Sequence, residues 1–264
     1  MKILYIGDIM GPAGRATVKK VLPEIKREFD VDFVLAQAEN MGDDGKGFTP
    51  ADVKEMQTAG IDFFTGGNWS TRNEAIHPAL NDPSQPVIRP ANYPEGTPGL
   101  GHKVVKTPFG DILVISLLGQ IVPHSPELNN PLTVIDELLE QYTHTKRIAT
   151  IVNYHGDYSS EKLVIGYYLD GRVTFVGGDH WHIPTADALV LPGGTAHITD
   201  VGMVGSRDSS LGVKLDTIIK RWQTNKPSRN ELETDGVMQF NAVVIDVDTA
   251  TSKARSIHQI LRMV

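Results

Sequence analysis

The sequence predicts an α/β domain built on a mixed rather than purely parallel sheet. Three observations point to it. Short apolar runs alternate with helix-like stretches along most of the chain, several of those runs end in polar groups, and Pro108–Phe109–Gly110 joins two runs as a hairpin.

Taken in order, Lys2–Ile6 reads as a strand reaching Gly7–Asp8, and Gly11–Gly14 as a turn into a helix over Arg15–Phe29, interrupted near Pro23. Val31–Ala38 is a second strand, followed by a segment too glycine-rich for regular structure, Met41–Gly47. Its glycines lack the spacing of a phosphate-binding P-loop, and no Lys–Ser/Thr pair closes it. Thr49–Ala59 is a helix, with Thr49 as N-cap and Pro50 in its first turn. Ile61–Phe64 is a strand ending at Gly67–Asn68–Trp69, Thr71–Leu80 is helical, and Val87–Arg89 is a short strand before the turn-rich Pro90–Gly101. Lys103–Thr107 and Asp111–Leu117 form the hairpin. Three prolines make Ile121–Pro131 a loop, and Leu132–Tyr142 is a helix with its stripe at Leu132, Ile135, Leu138 and Leu139. Ile148–Tyr154 is a strand leading to His155, Ser159–Leu169 a helix, and Arg172–Val176 a strand before Gly177–Gly178–Asp179–His180–Trp181–His182. Asp187–Leu191 pairs with Ala196–Ile198, Leu215–Arg221 is helical, and Met238–Val247 with Ser256–Met263 forms an antiparallel pair at the sheet edge. No repeat or linker divides the chain, so one domain over residues 1–264 is expected.

Composition narrows the chemistry. With no cysteine, disulfides and thiolate ligands are excluded, and any metal must be held by oxygen and nitrogen. A net charge of −7 without a Lys/Arg block argues against a duplex nucleic-acid partner. The opening apolar run is short and leads directly into Gly7–Asp8–Ile9, so neither a leader nor a membrane span is expected, and a cytoplasmic protein is.

Asp8, Glu39 with Asn40, Asn68, His155, and His180 with His182 lie at or beyond the ends of five separate strands, where an open sheet assembles a site from distant sequence. Seven such groups exceed one mononuclear site and suit two cations, with Glu39 the choice for a shared carboxylate. Mixed nitrogen and oxygen donors favour Fe or Mn, with Zn also admissible, and hydrolysis of a phosphate ester is the natural use. Arg15 is a candidate phosphate contact. Trp69 either fills apolar volume beneath the site or lines the pocket and stacks on a base. Asp187 and Asp200 are candidates to orient histidines through hydrogen bonds, or else cap turns. His77, His102, His124, His144, His197 and His258 lack convergent context and read as structural or surface residues.

Motifs spread over nearly the whole chain carry a resemblance. They are Ile6–Gly7–Asp8, Glu39–Asn40 before Gly45–Lys46–Gly47, Gly67–Asn68, the run from Arg89 through Asn92–Tyr93–Pro94 to Gly99, Ser160–Glu161–Lys162 after His155, His180–x–His182 through Asp187, and Ile198–Met203. Together they resemble the bacterial YmdB-like branch of the calcineurin-like metallophosphoesterases. The resemblance implies a four-layer αββα sandwich, a dinuclear centre, and hydrolysis of 2′,3′-cyclic nucleotides or related phosphodiesters; apart from the resemblance, the expected partners are a small phosphodiester and a second copy of the chain in a homo-oligomer. It implies that Asp8, Glu39 and His182 hold one metal, with Asn40 beside them, and that Glu39, Asn68, His155 and His180 hold the other. The family has a histidine after the Gly–Asn pair, taken to assist phosphoryl transfer, where this chain has Trp69. An indole exchanges no proton near neutrality. The catalytic acid is therefore unassigned, and Asp157, standing where the family has a glutamate, is the candidate donor. The alternative expectation is a metal-binding regulatory or scaffold protein with weak or lost phosphodiesterase activity.

Overall fold

The computed structural model describes residues 1–264. Thirteen strands and six α-helices follow one another as β1 (Lys2–Ile6), β2 (Asp8–Ile9), α1 (Gly11–Phe29), β3 (Phe33–Gln37), α2 (Pro50–Thr58), β4 (Phe63–Thr65), α3 (His77–Asn81), β5 (His102–Thr107), β6 (Gly110–Leu118), α4 (Pro131–Gln141), β7 (Ala149–His155), α5 (Ser159–Tyr168), β8 (Phe175–Asp179), β9 (Leu189–Val190), β10 (Ala196–Ile198), β11 (Met203–Ser206), α6 (Leu215–Thr224), β12 (Met238–Asp248) and β13 (Lys253–Met263).

The strands make two mixed sheets. The first runs β2-β11-β12-β1-β3-β4, with β13 also paired to β12, and the second runs β5-β6-β7-β8-β10-β9. Period-two alternation divides each strand between two cores. Ile3, Tyr5, Leu35 and Ile245 of the first sheet meet Ile112, Val114, Ile151 and Phe175 of the second in a core between the sheets. Leu4, Ile6, Val34 and Ala36 face the other way, onto Val18, Val21, Leu22 and Ile25 of α1. Leu113, Ile115 and Val152 do the same toward Ile135 of α4 and Ile165 of α5. Each fully buried aliphatic side chain contributes about 1.5–3 kcal/mol. Four layers, αββα, follow from this alternation.

Several expected elements change in the fold. The predicted Gly11–Gly14 turn is the first turn of α1, and Pro23 lies inside that helix without ending it. An interior proline costs about 3 kcal/mol, which the buried Val18–Ile25 stripe offsets. Thr71–Leu80 splits into a 3₁₀ turn at Glu74–Ile76 and the short α3. Val87–Arg89 supplies only an isolated bridge from Val87 to Phe64. β8 begins later than expected and extends through Gly177, Gly178 and Asp179. Of the final strand pair only β13 is an edge strand, because β12 also pairs with β1 in the register Ile3↔Ile245. The Thr49 cap is present, as a capping box with Asp52.

β1, β3 and β4 run parallel in one sheet, and β6, β7, β8 and β10 run parallel in the other. All the polar groups singled out above as metal ligands therefore lie at, or just beyond, the carboxyl ends of parallel strands. No helix is long and apolar enough to cross a membrane.

Candidate metal centre

Glu39 beyond β3, His155 at the end of β7 and His180 beyond β8 present ligand atoms that all lie within 4.8 Å of one another, a group able to hold a metal ion. His155 is fully buried, and its Nδ1 is 2.6 Å from Asp179 Oδ1. With the proton of that bond on Nδ1, Nε2 faces Glu39 Oε1 at 2.9 Å and Asn68 Oδ1 at 3.1 Å. The Asn68 amide is fixed in this orientation because its Nδ2 donates to the Pro123 carbonyl. Gly67 permits the approach, since a Cβ there would lie 2.0 Å from Glu39 Oε2.

A second convergence lies beside the first. His182 Nε2 stands 3.2 Å from Asn40 Oδ1 and 3.9 Å from Asp8 Oδ1, while its Nδ1 faces the Leu211 carbonyl at 3.2 Å. The Asn40 amide is oriented by donating to the Gly45 carbonyl. Asp8 is buried, and its Oδ1 has no hydrogen-bond partner. His180 and His182 both have positive φ, 100° and 63°, so the loop after β8 turns back and places both rings beside the ends of β1 and β3.

The electrostatics follow from this crowding. Burial and the neighbouring Asp179 and Glu39 charges push the Asp8 carboxyl well above the usual carboxylate range. Burial disfavours a charged His155, but Glu39 and Asp179 outweigh it and raise that imidazole well above its ordinary value. Burial lowers His180 to about 2, helped by the charge on His155. It lowers His182 to about 4, against the pull of Glu39. His155 Nε2 thus faces the oxygens of Glu39 and Asn68, and His182 Nε2 faces the amide oxygen of Asn40, which accepts and does not donate. In the metal-free protein a proton on His155 satisfies that arrangement, and a cation coordinated by lone pairs satisfies it equally, together with the orphaned Asp8 oxygen. The donor set fits a metal.

Asp179, which carries no ligand or partner role in the sequence reading, is the hub of the centre. Besides His155, its carboxylate accepts from Tyr5 Oη, Gln37 Nε2 and Asn153 Nδ2. The period-two signal that points to it is interrupted by Gly177 and Gly178, which hide the continuation of the strand past Val176. Neither Asp187 nor Asp200 hydrogen-bonds a centre histidine. Asp187 binds Thr185 and Thr199, and Asp200 binds Lys162 and the backbone N–H groups of Trp181 and Gly202.

The remaining candidates fall outside the cluster. Arg15, read as a phosphate contact, is instead consumed by ion pairs to Asp43, Asp52 and Glu55 and by the Met41 carbonyl, with its side chain only 11% exposed. Trp69 is half-buried at the rim. Its backbone N–H donates to Glu39 Oε2, and its indole lies against His124, Lys46 and Arg72 rather than in an apolar pocket. Asp157 is half-exposed, 4.0 Å from His180 Nε2. Trp181 stands off the cluster, with its indole N–H on the Asp157 carbonyl and Lys162 Nζ 3.8 Å from its ring centroid.

Known proteins resemble this chain over its full length. A family model described as YmdB-like protein matches residues 4–260. A 2′,3′-cyclic-nucleotide 2′-phosphodiesterase of Bacillus subtilis is 40% identical over 262 residues, covering 99% of this chain and 97% of its own. A hypothetical protein from Thermus thermophilus superposes with a TM-score of 0.89 at 32% identity, covering 100% of this chain and 99% of its own. A phosphatase from Mycoplasma pneumoniae superposes with a TM-score of 0.92 at 29% identity, covering 100% and 93%. The four-layer architecture, the buried cluster and these full-length likenesses place the chain in the YmdB-like protein family.

Proposed function

We propose that this protein is a metal-dependent phosphodiesterase acting on 2′,3′-cyclic nucleotides or related small phosphodiesters through a dinuclear centre in a single domain over residues 1–264. The observation that carries the reading is the pair of buried imidazole nitrogens, on His155 and His182, each turned toward side-chain oxygens fixed in place. Glu39, Asn68, His155 and His180 would hold one ion. Asp8, Glu39 and His182, with Asn40 beside them, would hold the other, Glu39 serving both. When bound, the ions would supply Lewis-acid neutralisation of the phosphoryl oxygens and activation of water. The absence of thiolate and the mixed donors favour Fe or Mn, with Zn admissible. The substrate class is supported by the name of the Bacillus subtilis relative.

The chain's own residues do the positioning. Asp179 keeps the His155 proton on Nδ1 and leaves Nε2 for the ligand, while the Asn40 and Asn68 amides are held oxygen-inward by backbone carbonyls. Protein purified without chelator and supplied with Mn or Fe is expected to carry two ions. It should hydrolyse bis(p-nitrophenyl) phosphate and 2′,3′-cyclic AMP, and lose both activities on chelation. Full occupancy without turnover of any diester would favour a regulatory metal-binding protein, and a centre that stays empty would remove both readings.

A further inference from the structure

Hydrolysis of a cyclic nucleotide expels a ribose alkoxide, which departs far more readily when it is protonated as the bond breaks. The three imidazoles of the centre are poorly placed to give that proton, because their ring nitrogens face the oxygens and the charges that would hold the ions. The fold puts a fourth imidazole at the rim. The loop between β6 and α4 is anchored by Val122, buried against Tyr93 and Leu118, and by the Pro123 carbonyl, which accepts from Asn68 Nδ2 at 3.1 Å. The next residue, His124, takes the left-handed conformation at φ 63°, and its ring lies 5.3 Å from that of Trp69 at an interplanar angle of 33°. Trp69 in turn donates its backbone N–H to Glu39 Oε2. His124 is thus tied to the centre from two sides, through Pro123 to Asn68 and through Trp69 to Glu39.

Two further features suit it to a substrate role. The side chain is exposed and makes no hydrogen bond within the protein, so both ring nitrogens are open to a ligand. Lys46 Nζ lies 4.9 Å from the Trp69 ring centroid and the Arg72 guanidinium 5.8 Å from it, so the indole also carries cations suited to an anionic diester.

We propose that His124, seated on Trp69, is the proton donor to the leaving group, so that Trp69 acts as the platform for the acid. This rests on the phosphodiesterase reading above. In the step, the P–O bond to one ribose oxygen breaks and its electron pair stays on that oxygen, which takes the proton from the His124 imidazolium. The oxygen of water forms the new P–O bond, and the proton released from water replaces the one that His124 gave, leaving a phosphomonoester.

The test compares two leaving groups at matched metal content in wild type, His124→Ala and Trp69→Ala. The wild type should turn over both bis(p-nitrophenyl) phosphate, whose phenolate needs little protonation, and 2′,3′-cyclic AMP. His124→Ala should lose roughly 10²-fold in kcat on the cyclic substrate and much less on the activated one. Added imidazole should restore part of the loss on the cyclic substrate alone. Trp69→Ala should reproduce the same bias more weakly. An NMR cross-relaxation signal between the His124 and Trp69 ring protons should be present in wild type. Equal losses on both substrates, a change confined to KM, failure of imidazole to rescue, or no loss at all would each overturn the assignment of His124 and leave the phosphodiesterase reading intact. Wild-type protein with both ions in place and no activity on either substrate would overturn both.

Discussion

At residue scale the centre depends on Asp179 as much as on any group aimed at a metal. Its two oxygens receive protons from a phenol, two amides and an imidazole, all buried, so it is an acceptor at every contact. Burial opposes its ionisation, but the charges of His155 and Lys162 win and hold its carboxyl below the usual range. Asp179→Asn would turn an amide N–H₂ toward groups that also donate, leaving at least one buried donor unpaired, at a cost of about 1–3 kcal/mol. It would also weaken the hold on the His155 tautomer, and partners of this kind typically account for roughly 10–100-fold in metal affinity. The expected outcome is a lower denaturation midpoint together with weaker Mn loading by titration calorimetry. Undiminished loading would show that His155 needs no orienting carboxylate.

At element scale the loop from His180 to His182 is held by a buried ion pair. Lys162 of α5 meets Asp200 at 2.6 Å, with both side chains fully buried. Asp200 accepts from the backbone N–H of Trp181, between the two histidines, and Lys162 lies on the Trp181 indole. The ion pair therefore grips the loop at its middle residue by backbone and side chain at once, which supports the left-handed turns at His180 and His182. Lys162→Met would strand a buried carboxylate, a change that typically costs about 3–5 kcal/mol. Guanidinium unfolding should show that loss, and the folded fraction should bind metal more weakly. A variant with native stability would mean that Asp200 is held by its backbone donors alone.

At the scale of the whole molecule, the site is where two sheets meet. Asp8, Glu39, Asn40 and Asn68 come from the first sheet, and His155, His180 and His182 from the second. Without a cation this meeting has a pH signature. The folded-state value of His180 lies near 2, against about 6.5 for an unfolded imidazole. Between those values the unfolded chain binds a proton that the folded chain refuses, so stability rises with pH through that window and is flat above it. In chelator, wild type should lose stability relative to His180→Asn, which does not titrate and tolerates positive φ, as pH falls from 7 to 4. Thermal unfolding of both proteins across that range measures it. A constant difference in midpoint would refute the burial of a neutral His180.

Strand ends rich in carboxylate, amide and imidazole are legible in the chain itself, because alternation with period two and the turn residues around Gly7, Gly67 and Pro108 act over a few residues. The same local signals carry the hairpin, the Thr49 cap and the α4 stripe into the fold. They do not tell which distant groups meet. Arg15 faces Asp43, Asp52 and Glu55, and His155 finds its partner in Asp179 and not in Asp187 or Asp200. His124 comes to rest on Trp69 through a proline-rich loop without periodicity. Those pairings are set by strand order, by the packing of one sheet on the other and by the loops at their shared edge, none of which a local signal encodes. The sequence by itself therefore determined the kinds of ligand and the strand ends that bear them, and only the tertiary structure decided how they are partnered.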